Sequence, residues 1–500
     1  MSYETVIGLE IHVQLATRSK AFCADDASFG GAPNTHVSAV SLAHPGTLPR
    51  LNEKSVEYAV RLGMALGCRI NPHSTFDRKN YFYADLPKGF QTTQDKNPVC
   101  IGGWLTVDDR RPTTDGGNPH MEKNPSAVDR QPSAIRIHHI HLEEDAGKSL
   151  HDQDPDDSLI DLNRAGVPLL EIVTEPDLRS AEEAAALLAE IRRLVRWLDI
   201  SDGNMEEGSL RCDVNVSVRK KGETHLGQRC EIKNVNSMRF ARRAIEFEEK
   251  RQIAVLEAGG TVEQETRGFD ADSGTTYPLR EKEDAHDYRY FPEPDLPPVI
   301  LDEAYLHEIK IGMPPLPGEL EALFRSTYQL PVQDASLLTQ ERETALYFLY
   351  LAEKSGNRGL AKSIANLIIN KLLPWSEASQ TPLTACPVAP LTWLEFVGLI
   401  ESGQIGASAA YRRLFPALLE APDSSPAALA ARLNLLQSAD SGFLEQIADD
   451  ILGRFPDQVA EYRKGKKGLI GSFMGEMMKA SKGQAEPKSA ARLLKEKLKA

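Results

Sequence analysis

The segment VIGLEIHVQL places Glu10 and His12 two residues apart in a strictly alternating stretch. On a strand they share one face and can offer two ligands to one cation. Alone, such a pair is usually only solvated, so the company it keeps decides its meaning. HLEEDAGKSLH, residues 141–151, puts Glu143, Glu144 and Asp145 between two histidines. The preceding IRIHHIHLEED reads as a strand, with His138, Ile140, Leu142 and Glu144 on one side and His139, His141 and Glu143 on the other. Whichever side is inward, a glutamate meets a partly apolar surface, where an ionised carboxylate needs a partner. Glu171 in GVPLLEIVTEPD, Asp213 in SLRCDVNV and Glu231 in RCEIKN lie on similar strand-like segments. Gathered in one place, these acids would repel one another unless a cation or Lys/Arg neutralised them. Oxygen-rich ligation with a single histidine suits Mg²⁺ or Mn²⁺ better than structural zinc.

AGKS looks like the end of a phosphate-binding loop, but GxxxxGK[ST] requires glycine at position 142, which is Leu142. Any nucleotide must be held another way. FDRKNYFYADLPKGFQTTQ sets Arg78, Lys79 and Lys88 among Tyr81, Phe82, Tyr83 and Phe90. Cations beside aromatic rings can hold phosphate and stack a base, and the same spacing also fits an aromatic core edge with lysines reaching outward.

The elements that must position these groups are legible by period. RCDVNVSVR alternates Val214, Val216 and Val218 with Arg211, Asp213, Asn215 and Ser217, a half-buried strand with a polar face. RSAEEAAALLAEIRRLVRWLDI, residues 179–200, predicts a helix with early acids and late arginines. SMRFARRAIEFEEKRQIAVLEAGG predicts another, closed by Gly259 and Gly260. YFPEPDLPP, residues 290–298, brings four prolines together and predicts the end of a first α+β domain at about residue 295. Helical patterns follow, and EAPDSSPAAL divides a middle helical domain, 296–420, from a basic tail, 421–500.

The formal charge of −14 over 500 residues means that a nucleic-acid role would need a local basic surface. Residues 461–500 supply one, with eleven Lys/Arg, among them Lys464, Lys466, Lys467, Lys479 and Lys482, against four Glu. The six cysteines form no CxxC pair, which argues against a disulfide framework and fits a reducing compartment. The chain opens without a charged leader and apolar core and contains no apolar run of membrane length, so the expectation is a cytoplasmic protein that does not enter a membrane.

Taken together, VIGLEIHVQL, HPGTLPRLN, FDRKNYFYADLPKGFQTTQ, HLEEDAGKS, DLNRAGVPLLEIVTEPD, MEEGSLRCDVNVSVR, EIKNVNS, ETRGFD and DYRYFPEPDLPP resemble one family, the B subunit of the bacterial aspartyl/glutamyl-tRNA(Asn/Gln) amidotransferase. GSFMGEMMKASKGQAEP extends the likeness to the tail. The resemblance implies an α+β cradle domain with an antiparallel sheet, then all-α helical and tail domains. It implies ATP- and Mg²⁺-dependent phosphorylation of the side-chain carboxylate of Glu-tRNA(Gln) or Asp-tRNA(Asn), followed by displacement of phosphate by ammonia. Carried over by motif, it implies Glu10, His12 and Glu144 as metal ligands, Glu171, Asp213 and Glu231 as catalytic groups that are further metal or acid/base positions, and Lys79, Lys88 and Arg211 as phosphate contacts. It further implies a glutamine-hydrolysing A subunit, a small C subunit and a tRNA-binding tail carrying the five lysines above. One departure stands out: many members carry a zinc-binding CxC and CxxC, where this chain has Cys23, Asp25, Ser38 and Ser41, so no structural zinc is expected. The rival readings are a tRNA-independent carboxylate kinase and a noncatalytic tRNA-binding scaffold.

Overall fold

Alternation along the first strand sets the layering. Ile7, Leu9, Ile11 and Val13 are buried on one face, while Glu10, His12 and Gln14 stay half-buried on the other. The computed structural model describes residues 2–107, 132–150, 154, 156–280, 288–437, 441–481, 485 and 487–499. Its contacts divide the chain into two units, Met1–Leu316 and Pro317–Ala500. In chain order the main strands of the first unit are β1 (Tyr3–Gln14), β2 (Asp77–Asn80), β3 (Phe90–Thr93), β4 (Ser133–Glu144), β5 (Pro168–Thr174), β6 (Leu210–Lys220), β7 (Cys230–Val235), β8 (Glu265–Asp270) and β9 (Thr275–Arg280). Its principal helices are α1 (Glu53–Ala65), α2 (Ala181–Trp197) and α3 (Met238–Glu257).

The large sheet runs β9-β8-β7-β6-β1-β5-β4 and continues into the short strands Cys100–Ile101 and Arg69–Ile70, with Trp104–Val107 pairing the other stretch of β4. Its central pairings are antiparallel, as the alternating segments imply. The β7–β8 pair is parallel, which makes the sheet mixed. The cause is α3, whose 20 residues lie between the two strands and carry the chain back to the same end of the sheet. A three-stranded sheet of Phe291–Pro292, β2 and β3 completes the polar side.

Helices α1, α2 and α3 pack against the sheet. Ser180 and Ser237 cap α2 and α3 by accepting from the backbone N–H of Glu183 and Phe240. The fully buried Glu248 of α3 is neutralised by Arg251 at 2.6 Å and accepts from Gln252 Nε2 at 2.9 Å and Thr276 Oγ1 at 3.0 Å, which ties α3 to β9. On α1, Gly63 allows close approach to the sheet edge: a Cβ there would collide with Cys100 Sγ and lie 2.9 Å from Ile70 Cδ1. Gly63→Ala should therefore cost about 1–3 kcal/mol despite its better helix propensity, read as a lower denaturant midpoint. A midpoint at or above wild type would show that the edge yields freely.

The proline-rich segment does not end the first unit. Phe291–Pro292 pairs with β2, and Glu293 receives Arg78 through two hydrogen bonds of 2.8 and 2.7 Å. The unit runs on through the helix Glu303–Ile311 to Leu316. Among the described residues of the second unit the regular elements are helices, from Pro317–Ser326 to Pro487–Lys499. Its last part has a core of its own that includes Leu444, Ile451, Phe473, Met477, Leu494 and Leu498. No helix among the described residues is long and apolar enough to cross a membrane.

Candidate active site

Sheet order converts scattered acids into neighbours. His12 of β1 lies opposite Glu171 of β5 and Arg211 of β6, while Glu10 lies opposite Asp213. Glu171 in turn faces His141 of β4. Two groups result, each with three ligand atoms within 4.8 Å of one another: His12 with Glu143 and Glu171, and Glu10 with Asp213 and Glu231.

The first group has the donor set of a hard-cation site, one imidazole and two carboxylates. His12 Nε2 is 3.3 Å from Glu171 Oε2, and His141 Nε2 is 3.5 Å from Glu143 Oε2 and 3.7 Å from Glu171 Oε2. Burial opposes charge on His12, but the hydrogen bond and field of Glu171, with Glu143 and Asp213 behind it, raise its pKa to about 9. Glu171 is held far below its ordinary range, because His141 and His12 outweigh the cost of its burial. A protonated His12 would thus offset part of the charge of the two carboxylates, and a bound cation would displace that proton.

The second group carries its own counter-ion. Lys233 Nζ lies 3.0 Å from Asp213 Oδ2 and 2.7 Å from Glu231 Oε1, and Glu10 accepts from Asn215 Nδ2 at 2.9 Å. Burial first, then Glu171 and Glu231, push the Glu10 pKa upward. Glu10 and Asn215 also line a cavity of about 280 Å³.

Glu144 does not join His12. Successive strand residues point opposite ways, so Glu143 reaches His12 while Glu144 turns to a lysine. Its carboxylate meets Lys88 Nζ and accepts from the Thr92 backbone N–H at 2.9 Å. Lys88 also donates to Thr92 Oγ1 at 3.0 Å and lies 4.9 Å from the Phe90 ring centroid. Phe22, Phe90, Arg78, Lys88 and Glu144 line a second cavity, of about 260 Å³. Arg211 grips Asp145 through two bonds of 2.8 and 3.0 Å, so its guanidinium is engaged by a carboxylate rather than held out for phosphate. Lys79 faces Glu143 and Glu171 and sits 4.9 Å from the Tyr288 ring centroid.

Sequence reasoning noted Glu143 and Asp145 without giving either a role, and did not single out Lys233. The signal for Glu143 was parity: the buried Ile140 and Leu142 share the side of Glu144, which leaves Glu143 with His139 and His141 on the polar face. Lys233 likewise shares parity with Glu231. Asp145 lies just past the strand end, and its partner is 66 residues away, which periodicity does not reveal. Cys23, Asp25, Ser38 and Ser41 do converge. Asp25 accepts from Ser41 Oγ at 2.5 Å, Ser41 Oγ accepts from the Ser38 N–H at 2.9 Å, and Asp25 is also hydrogen-bonded to Cys23.

In the second unit, Lys464, Lys466 and Lys467 are exposed where the helix Pro456–Arg463 ends, and Lys479 is exposed near the end of Ile470–Ala480. Lys466 pairs with Glu461 at 3.2 Å, and Lys467 lies 4.3 Å from the Tyr462 ring centroid. Lys482 lies outside the described residues.

A sheet with two acid groups beside a lysine-lined cavity, followed in the chain by helices, defines a two-part class of catalytic chain. Residues 5–307 match the family described as the GatB/GatE catalytic domain, and residues 347–498 match the GatB domain. The chain is 46% identical over 498 residues, covering 100% of both chains, to the B subunit of the aspartyl/glutamyl-tRNA(Asn/Gln) amidotransferase of Chlorobium luteolum. It is 45% identical to the protein of the same name from Prosthecochloris aestuarii, covering 100% of this chain and 98% of the relative. The same holds for Myxococcus xanthus, at 45% identity with 99% and 98% coverage. The chain belongs to the family of aspartyl/glutamyl-tRNA(Asn/Gln) amidotransferase B subunits.

Proposed function

We propose that this chain is the B subunit of a tRNA-dependent amidotransferase that converts Glu-tRNA(Gln) to Gln-tRNA(Gln), Asp-tRNA(Asn) to Asn-tRNA(Asn), or both. The observation that carries the reading is the placement of His12, Glu143 and Glu171 one strand position from the Lys88–Glu144 cavity. A carboxylate is a poor electrophile, and transfer of a phosphoryl group from ATP gives it a leaving group that ammonia can displace. His12, Glu143 and Glu171 would hold Mg²⁺, which when bound offsets the charge of the transferring phosphate. Lys88, freed from Glu144, and Lys79 supply the protein's own positive charge on either side of β2. Asp213 and Glu231 hold Lys233 between them, and Glu10, grouped with both carboxylates, would take a proton from the attacking nitrogen.

Ammonia comes from a glutamine-hydrolysing A subunit, and a small C subunit completes a cytoplasmic heterotrimer. The tail from about residue 421, with Lys464, Lys466, Lys467, Lys479 and Lys482, contacts tRNA phosphates. No structural zinc is needed where Asp25, Ser38 and Ser41 already satisfy one another. Prolonged chelation should leave the melting temperature unchanged, with less than stoichiometric zinc by elemental analysis; a drop on chelation would put a metal at Cys23.

The deciding experiment is ATP hydrolysis by the chain with its A and C partners, with and without Glu-tRNA(Gln), Asp-tRNA(Asn), Mg²⁺ and an ammonium salt. Turnover that requires a misacylated tRNA and yields the amidated product is expected. Hydrolysis indifferent to tRNA would replace this reading with a small-molecule kinase, and tRNA binding without turnover would replace it with a scaffold.

A further inference from the structure

Two segments remote in sequence build one aromatic strip on the polar side of the first unit. The Tyr81 ring lies edge-on to Tyr83 at 5.6 Å and to Tyr288 at 6.0 Å, and Tyr288 lies 6.0 Å from Tyr290. The segments are fastened by Asn80, whose backbone N–H donates to the Tyr288 carbonyl at 2.9 Å and whose Nδ2 donates to the Arg289 carbonyl at 2.8 Å. The strip is wet at both ends, where Tyr83 is 51% exposed and Tyr290 38%, with Tyr81 and Tyr288 half-buried between them. A continuous row of rings that opens to solvent at its ends marks an interaction surface.

Alternation along β2 gives the strip a direction. Arg78 faces the cavity lined by Lys88 and Glu144, and Lys79, on the other side of the strand, lies 4.9 and 6.0 Å from the Tyr288 and Tyr81 rings and faces Glu143 and Glu171. The rings thus lead from solvent to a lysine at the metal-ligand group, on the side of β2 away from the cavity. Rings interleaved with a cation are how proteins hold unpaired nucleic acid, with bases on the rings and phosphates beside the cation. A chain of net charge −14 has no general attraction for a polyanion, so a local site must supply it.

We propose that the strip Tyr83–Tyr81–Tyr288–Tyr290, with Lys79, is a track for the unpaired 3′ end of the misacylated tRNA and delivers its carboxyl group to Glu143 and Glu171. This rests on the amidotransferase reading above, because only there does the reacting group arrive on a single-stranded terminus.

The test uses the full assembly with Tyr83→Ala and Tyr290→Ala, and with Tyr83→Phe and Tyr290→Phe as ring-preserving controls. Each alanine variant should raise KM for Glu-tRNA(Gln) about tenfold, the effect of one lost base stack, while kcat and KM for ATP stay at wild-type values. The phenylalanine variants should behave as wild type. The trinucleotide CpCpA should bind the wild-type protein and compete with tRNA, and should bind neither alanine variant. Unchanged KM for tRNA in both alanine variants would overturn the proposal. So would loss of heterotrimer assembly with tRNA affinity intact, which would make the strip a protein contact. If the wild-type assembly shows no tRNA-dependent ATP turnover, the amidotransferase reading fails, and CpCpA binding by wild type and variants still decides whether the strip takes an unpaired 3′ end.

Discussion

Glu143→Gln and His12→Ala are expected to lower Mg²⁺-dependent ATP turnover and amidation by on the order of 10²- to 10³-fold, with the chain folded and bound to its partners. Glu143→Gln keeps the side-chain volume and removes one of two carboxylates from a three-donor group, so the loss falls on cation binding. The neighbouring change should read differently. Glu144→Gln leaves the group around His12 complete and releases Lys88 from its ion pair, so it should alter KM for ATP while the dependence on Mg²⁺ concentration stays near wild type. Metal titration against ATP titration, for both variants in one assembly, separates the two glutamates. If Glu144→Gln shifts the Mg²⁺ dependence and Glu143→Gln does not, the placement of the cation at His12 is wrong.

Arg211→Ala should destabilise the first unit by roughly 3–5 kcal/mol, as expected when a buried pair loses one partner. Asp145 then keeps Gln14 Nε2 at 2.6 Å, the Ala146 backbone N–H at 3.0 Å and the more distant Arg164 at 3.8 Å. Burial opposes ionisation of Asp145, but Arg211 and Arg164, with hydrogen bonds from Arg211 and Gln14, hold its carboxyl below the ordinary value. The sign follows: a depressed pKa gives stability that is complete above the unfolded value, about 3.9, and is lost as pH falls through the folded one. The gap between wild type and variant should thus be full at neutral pH and narrow in acid below about pH 4. Denaturant midpoints from pH 3 to 8 measure it. A neutral-pH difference below about 1 kcal/mol would return Arg211 to the role of an uncommitted phosphate ligand.

Local periodicity carried much of the architecture. The alternation in β1 and β6 and the capped helices α2 and α3 all stand where the spacing put them. What period does not encode is which strand lies next to which. The order β6-β1-β5-β4 joins residues 12, 171 and 211, and that order made Glu171 a partner of His12 and Asp145 a partner of Arg211. The same limit explains the segment 290–298, which reads as a boundary but whose Phe291–Pro292 pairs with β2, where proline is tolerated at a sheet edge. The parallel β7–β8 pair depended on a helix whose return path only the folded sheet defines.

Adjacent glutamates with opposite outlooks also restrict how this chain can change over evolutionary time. β4 is locked to β5 from His139 opposite Val173 to Glu144 opposite Pro168. Inserting or deleting one residue within that stretch would exchange the glutamate that meets His12 with the one that meets Lys88, and would turn the buried Ile140 and Leu142 outward. Drift inside the strand is therefore confined to substitution or to two-residue steps, and changes in length must be absorbed by the connections.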